Sequence, residues 1–168
     1  MLNSEIRVNN LIASGKNFSD TSSMGIVRTI HNTDVDFEQI EIEGEDFFTW
    51  FFKDNYCGIP VKKCLLEHAG FMKHKSLLTT SYSINISRFE SIYKVISITL
   101  EPGNQYIYIR EGETDKRREE DSIITIFNGD VDGEIYFHHI QNLYFILTDK
   151  ELEIDIEKIT EYYYRNEI

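Results

Sequence analysis

Cysteine, proline, positive charge and long apolar runs are all scarce in this chain, and each scarcity removes a class of explanation. Two cysteines, Cys57 and Cys64, in 168 residues are too few for a disulfide framework. A chain of this length buries roughly two-thirds of its unfolded surface, so it needs neither disulfides nor a metal to fold. No stretch approaches the ~18 apolar residues of a membrane helix. The opening MLNSEIRVNN has no basic start followed by an apolar run, which is not the pattern of a signal peptide, so a cytoplasmic location is expected. There is no internal repeat, no linker rich in proline, glycine or serine, and no low-complexity tract. No GxSxG elbow and no glycine-rich phosphate loop after a strand is found, so nucleophilic and phosphate-binding chemistry have no recognisable seat.

What is present is globular. The chain is 41% hydrophobic and 13% aromatic, with 10 Tyr and 11 Phe, a composition that favours sheet. Its 17 basic and 29 acidic side chains leave a net charge of −12. Such a field repels phosphate backbones and anionic membranes and attracts basic surfaces. A basic protein or nucleoprotein partner is expected, with no membrane contact, no direct nucleic-acid binding and no cofactor.

Hydrophobic periodicity then divides the chain. EIRVNNLIAS, MGIVRTIHN, FEQIEIEGE and FFTWFF read as short strands within residues 1–58, a bent or SH3-like, barrel-like sheet. GIPVKKCLLEHAGF switches to helical spacing, with Pro60 suited to the first turn and Gly70 to the residue past the end. SYSINISRF, SIYKVISITL, NQYIYIRE and SIITIFNGDVDGEIYF return to period two, as a second antiparallel sheet broken by the EPGN turn and the charged EGETDKRREED loop. HIQNLYFILT places Ile140, Leu143, Tyr144 and Leu147 on one helical face. Thr148 and Glu151 have capping-box spacing for a last helix striped by Leu152, Ile156, Ile159 and Tyr163. The expectation is a β-rich α+β fold: residues 1–58 as a β-rich subdomain, and 59–168 as sheet plus C-terminal helices packed on it, the two sharing one core.

Three clusters carry candidate chemistry. Asn128–His139, NGDVDGEIYFHH, places Asn128, Asp130, Asp132 and Gly133 in the early slots of a calcium loop. Position twelve is His139, a poor ligand for a hard cation, and the preceding SIITIF reads as strand. A turn between two strands accounts for the same residues without exception. His138 and His139, as chain neighbours, point apart and do not easily chelate one ion; they are expected where strand gives way to helix, one buried and one wet. Cys64 and His68 are four apart, a zinc-compatible spacing on a helix, with Cys57 and His74 on either side; a buried thiol and a surface histidine explain them equally. None of the three is assigned a metal.

Three stretches taken together, SEIRVNNLI, IPVKKCLLEHAGF and HHIQNLYFILTDKEL, resemble a family of small uncharacterised proteins of Bacteroidetes phages, prophages and mobile elements. The closing stretch carries the pattern through His139, Gln141, Asn142, Leu143, Tyr144, Phe145, Leu147, Thr148, Glu151 and Leu152. Asn9 stands where the family has glycine, and Lys62, Lys63 and Cys64 replace its acidic and tryptophan positions. The family supplies no catalytic residues, and Gln141 and Asn142 read as hydrogen-bonding the adjoining strand ends. What the resemblance implies is context: a small acidic protein in a bacterial host that acts on host machinery, such as a blocker of a CRISPR or other defence nuclease.

The leading expectation is therefore a non-enzymatic, anti-CRISPR-like inhibitor that meets a basic groove by protein–protein contact. The candidate contact residues are Asp34, Asp36, Glu38, Glu41, Glu43, Glu45 and Asp46, with Glu111, Glu113, Asp115, Glu119 and Glu120. Aromatics of FFTWFF and Tyr162 to Tyr164 would serve as anchors. Lys116, Arg117 and Arg118 read as a loop neutralised by its own acids. The alternatives are a mobile-element accessory protein binding nucleic acid through Arg7, Lys16, Arg28 and Lys53 on the N-terminal barrel, or an enzyme with an unrecognised site.

Overall fold

A computed structural model describes residues 6–15, 23–32, 38–43, 48–52, 55–77, 79–87, 89–101, 104–114, 121–128 and 134–165, with backbone alone at 31, 32, 38–40, 48–52, 101, 104 and 163–165. The fold is α+β and β-rich, with two open antiparallel sheets. The chain forms two compact units, one of 1–61, 136–146 and 150–168 and the other of 62–135 and 147–149. This differs from a division at residue 58, because the C-terminal helical segments return to the first sheet's unit.

The first sheet has the order β4-β3-β2-β1-β5, with β1 Leu11–Ser14, β2 Met24–Asn32, β3 Glu38–Glu43, β4 Phe48–Phe52 and β5 Tyr56–Gly58. Among the described residues the expected barrel-like closure is not found: β4 and β5 are the two edges and do not pair with each other. Three-residue β5 lies against β1, not against β4, which leaves the ladder open. All four residues of β1 are buried, and Ile12 of β1, Val27 of β2 and Ile42 of β3 form a core with Ile6 and Tyr56. Gly25 is required by close packing. A Cβ there would collide with Ile42 Cγ2 and lie 2.7 Å from the Glu43 carbonyl oxygen.

The second sheet has the order β10-β9-β8-β7-β6: β6 Met72–Lys75, β7 Thr80–Asn85, β8 Ile92–Glu101, β9 Asn104–Glu113 and β10 Ser122–Asn128. Its buried face follows period two across strands, Tyr82 opposite Ile98, and Ile98 and Ile96 opposite Ile107 and Ile109. Helix α1, Lys63–His68, precedes it and buries Leu65 and Leu66. Pro60 is not in its first turn but bridges Tyr136. Gly70 does end the helix, at φ +82°. The Gly70 N–H donates to Glu67 and the Phe71 N–H to Leu66, satisfying two carbonyls of the last turn.

The described residues between β10 and the next helix do not return to the sheet. Glu134 and Ile135 form no strand, Tyr136 makes the bridge to Pro60, and helix α2 runs Phe137–Thr148. The expected turn falls on residues 129–133, which lie outside the described residues; where the description resumes, the chain leads into a helix and not into the expected second strand. Helix α3, Ile156–Arg165, starts later than the capping-box reading had it. Asp155 is its cap, accepting from the Lys158 N–H at 3.2 Å. Thr148 ends α2 instead, and Asp149 follows at φ +57°.

Candidate functional site

A polar cluster lies where α2 meets the start of β1, within the first unit. Asn9 sits at φ +71°, a left-handed conformation that asparagine and glycine adopt more readily than other residues. The bend aims two backbone groups at the helix. Gln141, itself buried, accepts from the Leu11 N–H at 2.8 Å and donates to the Asn9 carbonyl at 3.0 Å. Asn10 donates to Asn142 Oδ1 at 2.9 Å. These are bonds to the adjoining strand end, as expected of Gln141 and Asn142.

Arg7 completes the cluster. Both of its terminal nitrogens donate to the Glu151 carboxylate at 2.8 Å, and its guanidinium lies 4.1 Å from the centre of the Phe145 ring. The hydrogen bond from Arg7 holds the Glu151 carboxyl below the usual carboxylate range; burial opposes this and a bond from Asn9 assists it. The Arg7–Glu151 pair ties the segment after α2 to the residues that lead into β1, while Arg7 Nε is buried without a hydrogen-bond partner.

Beside it stands a histidine pair. His138 is fully buried, and neither ring nitrogen has a hydrogen-bond partner. Its ring stacks on Tyr136 with centroids 5.9 Å apart and meets His139 edge-on at 4.3 Å. Burial pushes its pKa down to about 3, and the neighbouring His139 adds to the effect, so the ring is neutral at pH 7. His139 is half-buried. Among the described residues no group of three or more histidines, cysteines, aspartates or glutamates could hold a metal. Cys57 lies on β5 in the first unit, while Cys64 and His68 on α1 and His74 on β6 belong to the second. His74 shares a 2.7 Å hydrogen bond with Ser83.

The acidic candidates divide sharply. Asp34, Asp36, Glu45, Asp46, Asp115, Glu119 and Glu120 lie outside the described residues, and Glu38 is described by its backbone alone. Glu43 pairs with Arg28, Glu41 accepts from Thr29 at 2.9 Å, and Glu111 pairs with Lys94 at 2.9 Å. These three are therefore partly engaged within the chain, and Glu113 is exposed. A further acidic strip went unpredicted: Glu153, Glu157 and Glu161 are exposed in and just before α3. The run of acids from Asp149 to Glu161 signals it, interleaved with the apolar stripe of the same segment. Of the aromatic anchors, Tyr162 is partly exposed, Phe47 lies outside the described residues, and the side chains at 48–52, 163 and 164 are not described.

The described cations are mostly held by carboxylates: Arg7 by Glu151, Arg28 by Glu43, Lys73 by Glu67, Lys94 by Glu111, Arg110 by Asp121 and Lys158 by Asp155. Lys16 and Lys53 lie outside the described residues. Among the described residues no helix is long and apolar enough to cross a membrane. No family model, no curated protein and no solved structure matches the chain.

Proposed function

We propose that the protein is a non-enzymatic, phage- or prophage-derived inhibitor that works in the cytoplasm of a bacterial host, binding the basic nucleic-acid groove of a defence effector in an anti-CRISPR-like manner. The observation that carries this reading is the charge balance of 29 acidic against 17 basic side chains. Six of the described cations are already opposed by carboxylates of the chain itself, so the acidic excess is what a partner meets. Fields of this kind raise association rates by about 10- to 1000-fold at low ionic strength, and they align a basic groove before contact. Within the first unit the exposed Glu153, Glu157 and Glu161 are the described residues that best suit such a contact; within the second, Glu113 is.

The nucleic-acid alternative has less to stand on. Arg7 and Arg28, two of its four cations, are turned to Glu151 and Glu43, and the sheet that was to form its barrel is open.

The test is direct. The tagged chain is incubated with nuclease-treated lysate of a Bacteroidetes host, captured proteins are identified by mass spectrometry, and the nuclease activity of any captured effector is titrated with the pure chain. The reading expects a basic nucleic-acid enzyme whose activity falls at stoichiometric inhibitor. A captured set without basic proteins, or an effector whose cleavage is unchanged, contradicts it.

A further inference from the structure

Beyond the acidic surface, we infer that β6 is a docking edge of opposite charge, which takes a short, extended acidic segment of a partner protein as an added strand of the second sheet. Charge marks the place. From Lys62 to Lys75 the chain carries four lysines against a single carboxylate, Glu67, in a protein whose acids outnumber its bases by 29 to 17. Lys73 lies 3.8 Å from Glu67. Lys63 and Lys75 are exposed and have no carboxylate partner among the described residues. The backbone is open as well. β6 is the last strand of its sheet. At the turn into β7 the Ser76 N–H donates to the Thr79 carbonyl. Bonded and unbonded pairs alternate along an antiparallel ladder, so the next pair, Lys75 with Thr80, is unbonded, and so is Lys73 with Tyr82. The N–H and C=O groups of both lysines therefore point away from β7, and they make no other backbone bond among the described residues.

Charge and geometry together select the occupant. The side chains of Lys73 and Lys75 share one face of the strand, those of Met72 and His74 the other, and all four residues are exposed. A strand added at this edge sets residues two apart opposite the two lysines. A segment with acids at alternate positions thus places a carboxylate beside each ammonium, while its backbone takes up the outward groups. Met72, 61% exposed, offers apolar contact on the other face. Edge lysines guard a sheet against unwanted pairing. This guard turns away basic strands and a second β6, which would set lysine against lysine; an acidic strand neutralises it. Nucleic acid would meet the lysines but leave the backbone groups unused, and the net charge of −12 repels it.

NMR titration of the isotope-labelled full chain with a capped peptide of alternating glutamate and valine tests this, with the lysine–valine peptide as control. The expected result is saturable binding of the acidic peptide alone, with shifts centred on β6 and slowed exchange of the Lys73 and Lys75 amides. Lys73→Glu/Lys75→Glu is expected to raise the dissociation constant about tenfold or more; if it does not fold by circular dichroism, Lys73→Gln/Lys75→Gln serves in its place, with weakening in the same direction. Lys75→Pro, which removes an outward N–H, is expected to weaken binding more than Lys75→Gln, which keeps it. Absence of binding, shifts centred elsewhere, equal binding of the lysine peptide, unprotected amides at saturation, equal effects of proline and glutamine, or a double variant that binds as well as the parent would each overturn the inference.

Discussion

Replacing His138 with leucine removes a buried imidazole at almost constant volume, and its effect on stability follows from the site. In the folded protein the ring is buried without partners and its pKa is down at about 3, against an ordinary value of 6.5. The unfolded chain takes up a proton on this ring below about pH 6.5, whereas the folded chain refuses it until close to pH 3. The unfolded state therefore binds more protons throughout that window. Stability from this group is complete above 6.5 and declines as pH falls through the window, at about 1.4 kcal/mol per pH unit. Between pH 6.5 and 4.5 the loss is roughly 2–3 kcal/mol. His138→Leu lacks this slope, whereas carboxylates such as Glu151 contribute equally to both proteins and cancel in the comparison. Urea denaturation followed by circular dichroism at pH 7 and pH 4.5 measures the difference. The variant is expected to be at least as stable as the parent at pH 7 and to lose roughly 2–3 kcal/mol less on acidification. Equal losses in the two proteins would refute the reasoning, because they would mean that the ring is solvated or paired in solution.

Three further outcomes test the packing around that site. Gln141→Leu strands the Leu11 N–H and the Asn9 carbonyl, at a cost of about 2–4 kcal/mol, read as a lowered urea midpoint; a change below ~0.5 kcal/mol would show that α2 does not depend on these bonds. Gly25→Ala drives a methyl group into the β3 backbone and is expected to destabilise by about 2–3 kcal/mol, read as a lowered melting temperature; an unchanged value would show that the strands separate freely there. Arg7→Lys loses the two-pronged bond to Glu151 and costs about 1 kcal/mol. Carbon-detected NMR titration of Glu151 is expected to show its pKa rising in that variant. Because this carboxyl is held below its ordinary value in the parent, its contribution is present above the ordinary carboxylate range and fades as pH falls, a dependence the lysine variant should weaken.

Much of the sheet content was legible because period two is strong in MGIVRTIHN, SIYKVISITL and NQYIYIRE, where β-branched and aromatic residues alternate with polar ones. Helix α1 announced its end through Gly70, whose positive φ is a local requirement. The errors arose where a long-range partner outweighed a local signal. Thr148 and Glu151 have the spacing of a capping box, but Glu151 is claimed by Arg7, far off in sequence, and Asp155 caps the helix instead. NG and DG after β10 suggested a hairpin, yet Tyr136 bridges Pro60 and the chain passes into α2. Short strands in residues 1–58 suggested a barrel, but strand lengths and alternation do not say which edges meet, and β5 pairs with β1. Among the candidate acids, counting carboxylates could not reveal that Glu43 and Glu111 face Arg28 and Lys94 across the strand ladders.

The central claim, that the acidic surface binds a basic effector, is tested most directly by capture from nuclease-treated host lysate at low and high ionic strength. At about 0.1 M salt, where charges act over about 10 Å, a basic nucleic-acid enzyme should be retained by the parent chain and weakened by charge-reversed Glu153→Lys/Glu157→Lys. At about 0.5 M salt, with the field strongly screened, retention should fall. Capture of no basic protein, or of one retained equally at both salt concentrations and by the charge-reversed chain, would contradict the account.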